Sequence, residues 1–230
     1  MEKIVEIENP GIITDYAFMD TTFVKLTTND LWEIRMQYPH LHMQNAETEC
    51  FVRQDVYKML ILAAGYLPKD YRFCIWDAWR PFSLQKELYT TYSDKIIKQF
   101  SLESASQEEK EAMIRKFVSD PIPEIENPPV HTTGGAIDLT IIDAYGKPLN
   151  MGCEFDAFTE KTYTVYFENT NEEEVKINRR LLYSAMTKAG FTNLPSEWWH
   201  YDYGDKFWAY YKNKPIIYKG VFTKESTSLL

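Results

Sequence analysis

The stretch from His131 to Ile142 reads HTTGGAIDLTII, and this stretch decides how the chain folds. Its second half, Ala136 to Ile142, is apolar and β-branched, which is typical of a buried strand. We therefore expect Asp138 to stand on a core strand. The two glycines just before that strand let backbone pass close to the carboxylate, because glycine carries no Cβ.

Outward from this strand, the chain alternates between helical and extended patterns. We predict helices over residues 47–67, 82–100, 106–118 and 171–189, and strands over 71–76, 136–142 and, as a short strand or turn, 197–203. Ser106 and Glu109 have the spacing of a capping box. Prolines between residues 121 and 129 predict a rigid extended connection to His131. This order predicts an α+β fold, with a small central antiparallel sheet flanked by helices.

Three residues have the donor atoms of a catalytic zinc site: His131, Asp138 and His200. Two nitrogens and one carboxylate oxygen leave a tetrahedral position open for water, which separates a catalytic zinc from a structural one. Water held there ionises near pH ~7 rather than ~16. Each half of this pattern occurs by chance in many chains, but this chain has only four histidines. We predict one zinc ion per chain.

Glu197 stands three residues before His200, in the string EWWHY. Side chains three apart share a helix face and can also converge in a tight turn. A carboxylate beside the water can take its proton and pass it to a leaving amine, so we predict that Glu197 is the general base of a peptidase. His40 and His42 form a rival metal pair, but no carboxylate base stands at a useful spacing, and we interpret them as surface or turn residues.

Composition limits the other possibilities. The chain has 230 residues and 44% hydrophobic content without a linker-like segment, which predicts a single domain over residues 1–230. A net charge of -9 argues against a nucleic-acid partner. Three scattered cysteines indicate neither disulfides nor a thiolate zinc site. An acidic N-terminus without a long apolar run predicts a cytoplasmic protein without a membrane partner.

Four blocks of sequence resemble the D-alanyl-D-alanine dipeptidases, the zinc dipeptidases associated with vancomycin resistance. The blocks are WDAWRP from Trp76, HTTGGAIDLT from His131, MGCEFD from Met151 and EWWHY from Glu197. The resemblance covers about residues 50–203 and includes NRRLL from Asn178. This family is related in fold to zinc D,D-carboxypeptidases and to the hedgehog signalling domain, so the resemblance implies the same α+β architecture.

The resemblance also implies roles for two further residues. Arg80 would stabilise the oxyanion of the transition state; its alternative role is a salt bridge to Asp77 or a place on the surface. Asp156 would bind the free amine of a small dipeptide substrate; its alternative is an exposed turn carboxylate. The family pattern is altered at Met36, Pro129 and Thr133, which stand where the family usually has Tyr, Ser and Arg. Tyr38 is a candidate substitute for the missing tyrosine.

Three functions follow from these residues. The first is hydrolysis of D-alanyl-D-alanine to two D-alanines by zinc-activated water. The second is a zinc D,D-carboxypeptidase or another hydrolase of peptidoglycan peptides, which would accept an acylated amine. The third is a non-catalytic binding protein on the same scaffold, against which the presence of Glu197 and Arg80 argues. The dipeptide preference, the physiological role and the oligomeric state stay open.

Overall fold

The structure is a computed structural model that describes residues 1–224. Within these residues, five strands form the central sheet in the order β2-β4-β5-β7-β6. The strands are β2 (Trp32–Ile34), β4 (Arg72–Asp77), β5 (Ala136–Ile142), β6 (Thr192–Asn193) and β7 (His200–Asp202). All neighbours are antiparallel except β2 and β4, which run parallel. The α+β prediction is confirmed, and the predicted antiparallel sheet gains one parallel edge strand.

Strand β5 lies at the centre of the sheet, and every one of its residues is buried. Ile137, Leu139 and Ile141 belong to the main core. Neighbouring side chains on a strand point to opposite faces, so Asp138 faces away from that core. The predicted strand over 136–142 is confirmed at both ends.

Six α-helices occur in the described part of the chain. They are α1 (Gln37–His40), α2 (Gln54–Ala64), α3 (Phe82–Gln99), α4 (Gln107–Ile114), α5 (Glu173–Lys188) and α6 (Lys206–Lys212). Leu60 of α2 and Leu182 of α5 pack in the main core with the odd-numbered residues of β5. Leu84 and Leu88 of α3 form a second cluster with Ile114 of α4. Ser106 makes the predicted capping box with Glu109 at the start of α4.

The prediction of one helix over residues 47–67 is wrong at its N-terminal end. Cys50–Arg53 is a strand, β3, which pairs antiparallel with β1 (Phe23–Leu26). All four residues of β3 are buried, and the backbone N–H of Arg53 donates to the Gly134 carbonyl at 3.0 Å. Aromatic and β-branched residues suit this paired, buried position better than the first turn of a helix. The helix itself begins only at Gln54.

The other predicted helices differ from the observed ones mainly at their ends. The helix predicted over 106–118 stops at Ile114, and the chain continues in turns and then in an extended proline-containing segment. Gly190, which closes α5, has a positive φ of 107° that suits glycine. No helix among residues 1–224 is long and apolar enough to span a bilayer.

Candidate metal centre and active site

Strand register places three polar residues in one row across the sheet. Asp138 of β5 lies opposite Asp77 of β4 on one side and opposite His200 of β7 on the other. Between Ile75 and Asp77 the β4–β5 register shifts, because two steps along β4 match one step along β5. This bulge turns Asp77 to the same face as Asp138, where regular pairing would have placed Trp76. The row stands on the face that points away from the main core.

His131 reaches the row from the segment that leads into β5. It lies in a short 3₁₀ helix, Val130–Thr133, which ends at Gly134 with a φ of 75°. A Cβ at Gly134 would lie 2.3 Å from the Phe23 ring, and one at Gly135 would lie 2.4 Å from the Tyr203 carbonyl oxygen. Only glycine fits both positions, as the sequence predicted for a close backbone approach. The turn therefore holds His131 beside the end of β5.

The donor atoms of the three predicted ligands converge. His131 Nε2 lies 3.2 Å from His200 Nδ1, His200 Nδ1 lies 3.0 Å from Asp138 Oδ1, and His131 Nε2 lies 3.4 Å from Asp138 Oδ2. Ligand atoms about 2.0–2.2 Å from a tetrahedral zinc ion would be roughly 3.3–3.6 Å apart. All three residues are at most 5% exposed. The observed separations are close to that spacing, so the group could hold a metal ion.

Hydrogen bonds on the far side of each imidazole decide which nitrogen faces the group. His131 Nδ1 lies 2.8 Å from the Ala78 carbonyl oxygen, so its N–H donates there and Nε2 is left as a lone pair. His200 Nε2 lies 2.7 Å from Asp202 Oδ1, so in the neutral ring that binds a metal this N–H donates to the carboxylate and Nδ1 has the lone pair. Two nitrogen lone pairs and a carboxylate then face one another, an arrangement that a cation would stabilise. The donor set therefore fits a metal.

Glu197 lies in the turn just before β7, and its carbonyl accepts a hydrogen bond from the His200 backbone N–H at 3.2 Å. Its Oε2 is 3.7 Å from His200 Nδ1, which is within reach of a small molecule held at the group. Burial, together with the charges of Asp138 and Asp156, raises the pKa of Glu197 to about 8. The side chain is nevertheless 24% exposed, because it faces a pocket. The prediction of a short strand or turn here is confirmed.

Arg80 is buried rather than on the surface, and it makes the predicted alternative contact with Asp77. It forms a buried salt bridge to Asp77, with Nε and Nη2 at 2.9 and 2.7 Å from Oδ2. It also lines the pocket and lies 3.8 Å from Asp138 Oδ2. Nη1 donates to Gln85 Oε1 at 2.8 Å, and Nη2 donates to the Tyr38 hydroxyl at 3.1 Å. Among the described residues, four of the five guanidinium hydrogens thus have a partner, and the fifth, on Nη1, is left for a ligand.

Asp156 lines the same pocket as Arg80 and is half-buried, so the alternative of an exposed turn carboxylate is wrong. Oδ2 accepts hydrogen bonds from the hydroxyls of Tyr38 at 3.0 Å and Tyr92 at 2.7 Å. Burial is the main reason that the pKa of Asp156 is raised to about 6, and the charge of Asp138 adds to it. Its φ of 54° is unusual for a residue with a side chain and shows that the surrounding loop constrains it.

The loop that carries Asp156 is fixed by Arg179 of α5. This buried guanidinium donates to the backbone carbonyls of Met151 at 2.8 Å and of Tyr163 and Lys161 at 2.6 Å each. No carboxylate among the described residues pairs with it, and burial lowers its pKa to about 10. Arg179 belongs to the NRRLL stretch, but sequence reasoning did not assign it a role. It ties the two ends of the Asp156 loop to the helix.

The pocket is lined by the three predicted ligands and by the other residues that sequence reasoning singled out. It is lined by Arg80, His131, Asp138, Asp156, Glu197 and His200, and also by Tyr38, Gln85, Leu88, Tyr92, Phe117, Val118, Ser119, Pro129, Val130, Leu194 and Phe207. Sequence reasoning missed Tyr92 and Gln85. Both lie on α3, whose helical spacing presents them to the site beside Leu88. His40 and His42 are exposed and lie outside the group of donors.

A family model described as D-ala-D-ala dipeptidase, peptidase family M15, matches residues 40–218. The chain belongs to this family. It is similar to the D-alanyl-D-alanine dipeptidase of Synechocystis sp., with 28% identity over 167 residues, which cover 66% of this chain and 68% of that protein. It is also similar to the D-alanyl-D-alanine dipeptidase of Escherichia coli, with 39% identity over 72 residues, which cover 31% of this chain and 36% of that protein. Membership makes the chain a metallopeptidase.

The altered family positions have structural roles in this peptidase. Met36 is buried in the main core, and Tyr38, two residues on, occupies the pocket instead. Pro129 precedes the 3₁₀ helix and lines the pocket without offering a hydroxyl. Thr133 donates to the Val130 carbonyl at 2.6 Å and accepts from the Gly135 N–H at 2.9 Å. Thr133 therefore stabilises the turn that carries His131.

Proposed function

We propose that this peptidase hydrolyses D-alanyl-D-alanine with the help of one zinc ion held by His131, Asp138 and His200. The observation that carries the proposal is the convergence of two imidazole lone pairs and a carboxylate at 3.0–3.4 Å, with the Glu197 carboxylate 3.7 Å from one of them. The family and its named relatives support the choice of substrate. We further propose a cytoplasmic location, which the free state of Cys50, Cys74 and Cys153 supports.

Zinc, when bound, would supply a Lewis acid that polarises the peptide carbonyl and lowers the pKa of a water molecule. Glu197 would accept a proton from that water at a carboxylate oxygen and deliver it to the amine that leaves. Its pKa of about 8 without a cation would fall beside a divalent metal, because a positive charge favours the carboxylate. Positioned proton transfer of this kind contributes roughly 10²–10⁴-fold to rate.

Arg80 would stabilise negative charge that develops on the carbonyl oxygen. Its guanidinium is fixed in place by Asp77, Gln85 and Tyr38, so little reorganisation would accompany the reaction. Asp156 would bind the ammonium group of a free dipeptide. Tyr38 and Tyr92 both donate to Oδ2 of that carboxylate, so Oδ1 is left for the substrate. An N-acylated peptide would bring an uncharged amide to Asp156 and lose this ion pair.

Replacement of each ligand tests the metal site directly. We expect His131→Ala, Asp138→Ala and His200→Ala to lose stoichiometric zinc, measured by elemental analysis after dialysis, and to lose hydrolysis of D-alanyl-D-alanine. The double variant His40→Ala with His42→Ala is the matched control, because both residues are exposed and outside the group. The control should retain both zinc and activity. Stoichiometric zinc in the His200 variant, or its loss in the control, would refute the ligand assignment.

A further inference from the structure

Asp202 stands directly behind one of the proposed ligands. It lies on β7 two residues after His200, so both side chains point to the same face of the sheet. The His200 Nε2–H donates to Asp202 Oδ1 at 2.7 Å. This contact leaves Nδ1 of His200 as the nitrogen that faces Asp138 and His131.

Asp202 has few other partners. The residue is 0% exposed, and a second polar side chain next to it is the carboxyl of Asp205, whose pKa is raised well above its usual range by burial and by the charge of Asp202. A neutral Asp205 can donate its proton to Asp202 but brings no compensating positive charge. No lysine or arginine in the described part of the chain forms a salt bridge with Asp202; the nearby Lys206 donates to Asn127 at 3.2 Å instead. Among the described residues, His200 is therefore the basic group in hydrogen-bond contact with this buried carboxylate.

The other histidine has a different environment on its far side. His131 Nδ1 donates to a neutral acceptor, the Ala78 carbonyl, at 2.8 Å. The nearby Asp77, whose Oδ2 is 3.4 Å from His131 Nδ1, shares its charge with Arg80 at 2.7 Å. His200 differs in this respect. Within the described residues, only its imidazole hydrogen is accepted by a carboxylate that has no salt bridge to lysine or arginine. Such a carboxylate fixes the tautomer and raises the basicity of the opposite nitrogen.

We propose that Asp202 is a positioning residue that holds the His200 ring with Nδ1 toward the metal and strengthens it as a ligand. The inference rests on the proposed metal site, and it extends that site to a residue that neither the ligand motif nor the substrate contacts include. Asp202 touches neither the substrate nor the reacting atoms and acts through His200 alone.

The test compares Asp202→Asn and Asp202→Ala with the wild-type chain. Zinc affinity is measured by competition with a chromophoric chelator in the absence of substrate, and the metal-free proteins are unfolded in urea. We expect zinc affinity to fall by about 10–100-fold, more for Ala than for Asn, because Asn keeps an acceptor oxygen for the imidazole. Stability of the metal-free Asp202→Asn protein should stay close to that of the wild type, because the amide oxygen still accepts from His200 Nε2. A purely structural residue would show the opposite combination.

Asp94→Asn is the control for the substitution itself. Asp94 lies on the exposed face of α3, outside the group of donors. We expect this variant to keep the zinc affinity and the metal-free stability of the wild type. Asp205 does not serve as a control, because its buried carboxyl interacts directly with Asp202.

The outcomes separate this inference from the proposed function. Wild-type zinc affinity in both Asp202 variants would overturn the inference and leave the metal site intact. Weaker zinc binding with an equal loss in Asp94→Asn, or with a destabilised metal-free Asp202→Asn protein, would assign Asp202 a structural role and also overturn the inference. A wild-type chain that binds no zinc would overturn the proposed function itself.

Discussion

At the scale of single residues, the site depends on which group holds a proton and which holds a lone pair. His131 and His200 each have one nitrogen tied to an acceptor, so the other faces Asp138. The Asp138 oxygens lie 3.0 and 3.4 Å from these nitrogens, whereas Glu197 Oε2 lies 3.7 Å from one of them and its side chain stays partly open to the pocket. This difference supports the proposal that Asp138 binds the metal and Glu197 transfers the proton.

Glu197→Gln should separate these two roles. The amide keeps the shape of the side chain but cannot accept a proton, so we expect zinc content to stay stoichiometric and kcat for D-alanyl-D-alanine to fall by about 10²–10⁴-fold. Glu108→Gln, on the exposed first turn of α4, is the control and should leave both values unchanged. Activity within tenfold of the wild type in Glu197→Gln would remove this residue from the role of general base.

Asp156 gives the site an expected pH dependence. Its carboxyl has a pKa of about 6, above its ordinary value of 3.8, so it loses its charge as pH falls through about 6. Groups that act on it are the hydroxyls of Tyr38 and Tyr92 and the charges of Asp138 and Arg80. A neutral Asp156 binds an ammonium group weakly, so KM for the free dipeptide should rise below that pH.

Asp156→Asn provides the check on this assignment. The variant should have a raised KM at neutral pH, and its KM should no longer depend on pH near 6, while zinc content stays the same. Steady-state kinetics between pH 5 and 8 measure both, within the range where such carboxyl groups titrate. A wild-type pH profile of KM in the variant would mean that another group binds the amine.

Sequence reasoning was most informative where chemistry restricts the residue type. The structure brings together the three residues predicted as metal ligands and the acid three residues before His200. Tyr92, Gln85 and Asp202 were missed, because none of them belongs to a spacing pattern that marks a ligand or a catalytic group. For Asp202 a signal was present in the sequence: a residue two positions from His200 on a strand shares its face.

At the scale of elements, the turn between the 3₁₀ helix and β5 positions the site. A Cβ added at Gly134 or Gly135 would lie 2.3–2.4 Å from the nearest side-chain or backbone atom. Arg53 stabilises the turn by donating to the Thr133 carbonyl at 2.7 Å. The sequence predicted the glycine turn and β5. It did not predict β3, because a four-residue strand gives too short a pattern to be separated from the helix that follows.

Gly135→Ala tests how strictly this turn is packed. A methyl group there meets the backbone oxygen of Tyr203, which cannot rotate away, so we expect a loss of stability of about 1–3 kcal/mol and weaker zinc binding. Gly65→Ala is the control, since its Cβ would lie 3.3 Å from the Leu62 carbonyl oxygen and its φ is −65°. Urea unfolding measures both. Equal stabilities for the two variants would contradict the role of the turn.

At the scale of the whole molecule, the two faces of the central sheet have different roles. The odd-numbered residues of β5 pack with α2 and α5 in the main core, whereas Asp138 faces the side where α3 and the Asp156 loop enclose the pocket. The α+β class and the order of the main elements were predictable from apolar periodicity. The parallel β2–β4 pair was not, because pairing between distant segments leaves no local pattern. The single-domain assignment for residues 1–230 stays a prediction.

The measurement that tests the account most directly is release of D-alanine by the zinc-loaded protein, with D-alanyl-D-alanine and its N-acetylated form assayed side by side. We expect cleavage of the free dipeptide alone, lost on chelation and restored by zinc, because Asp156 requires a charged amine. Cleavage of the acetylated form at a similar rate would indicate a carboxypeptidase. Cleavage of neither by a protein with stoichiometric zinc would contradict the proposed activity.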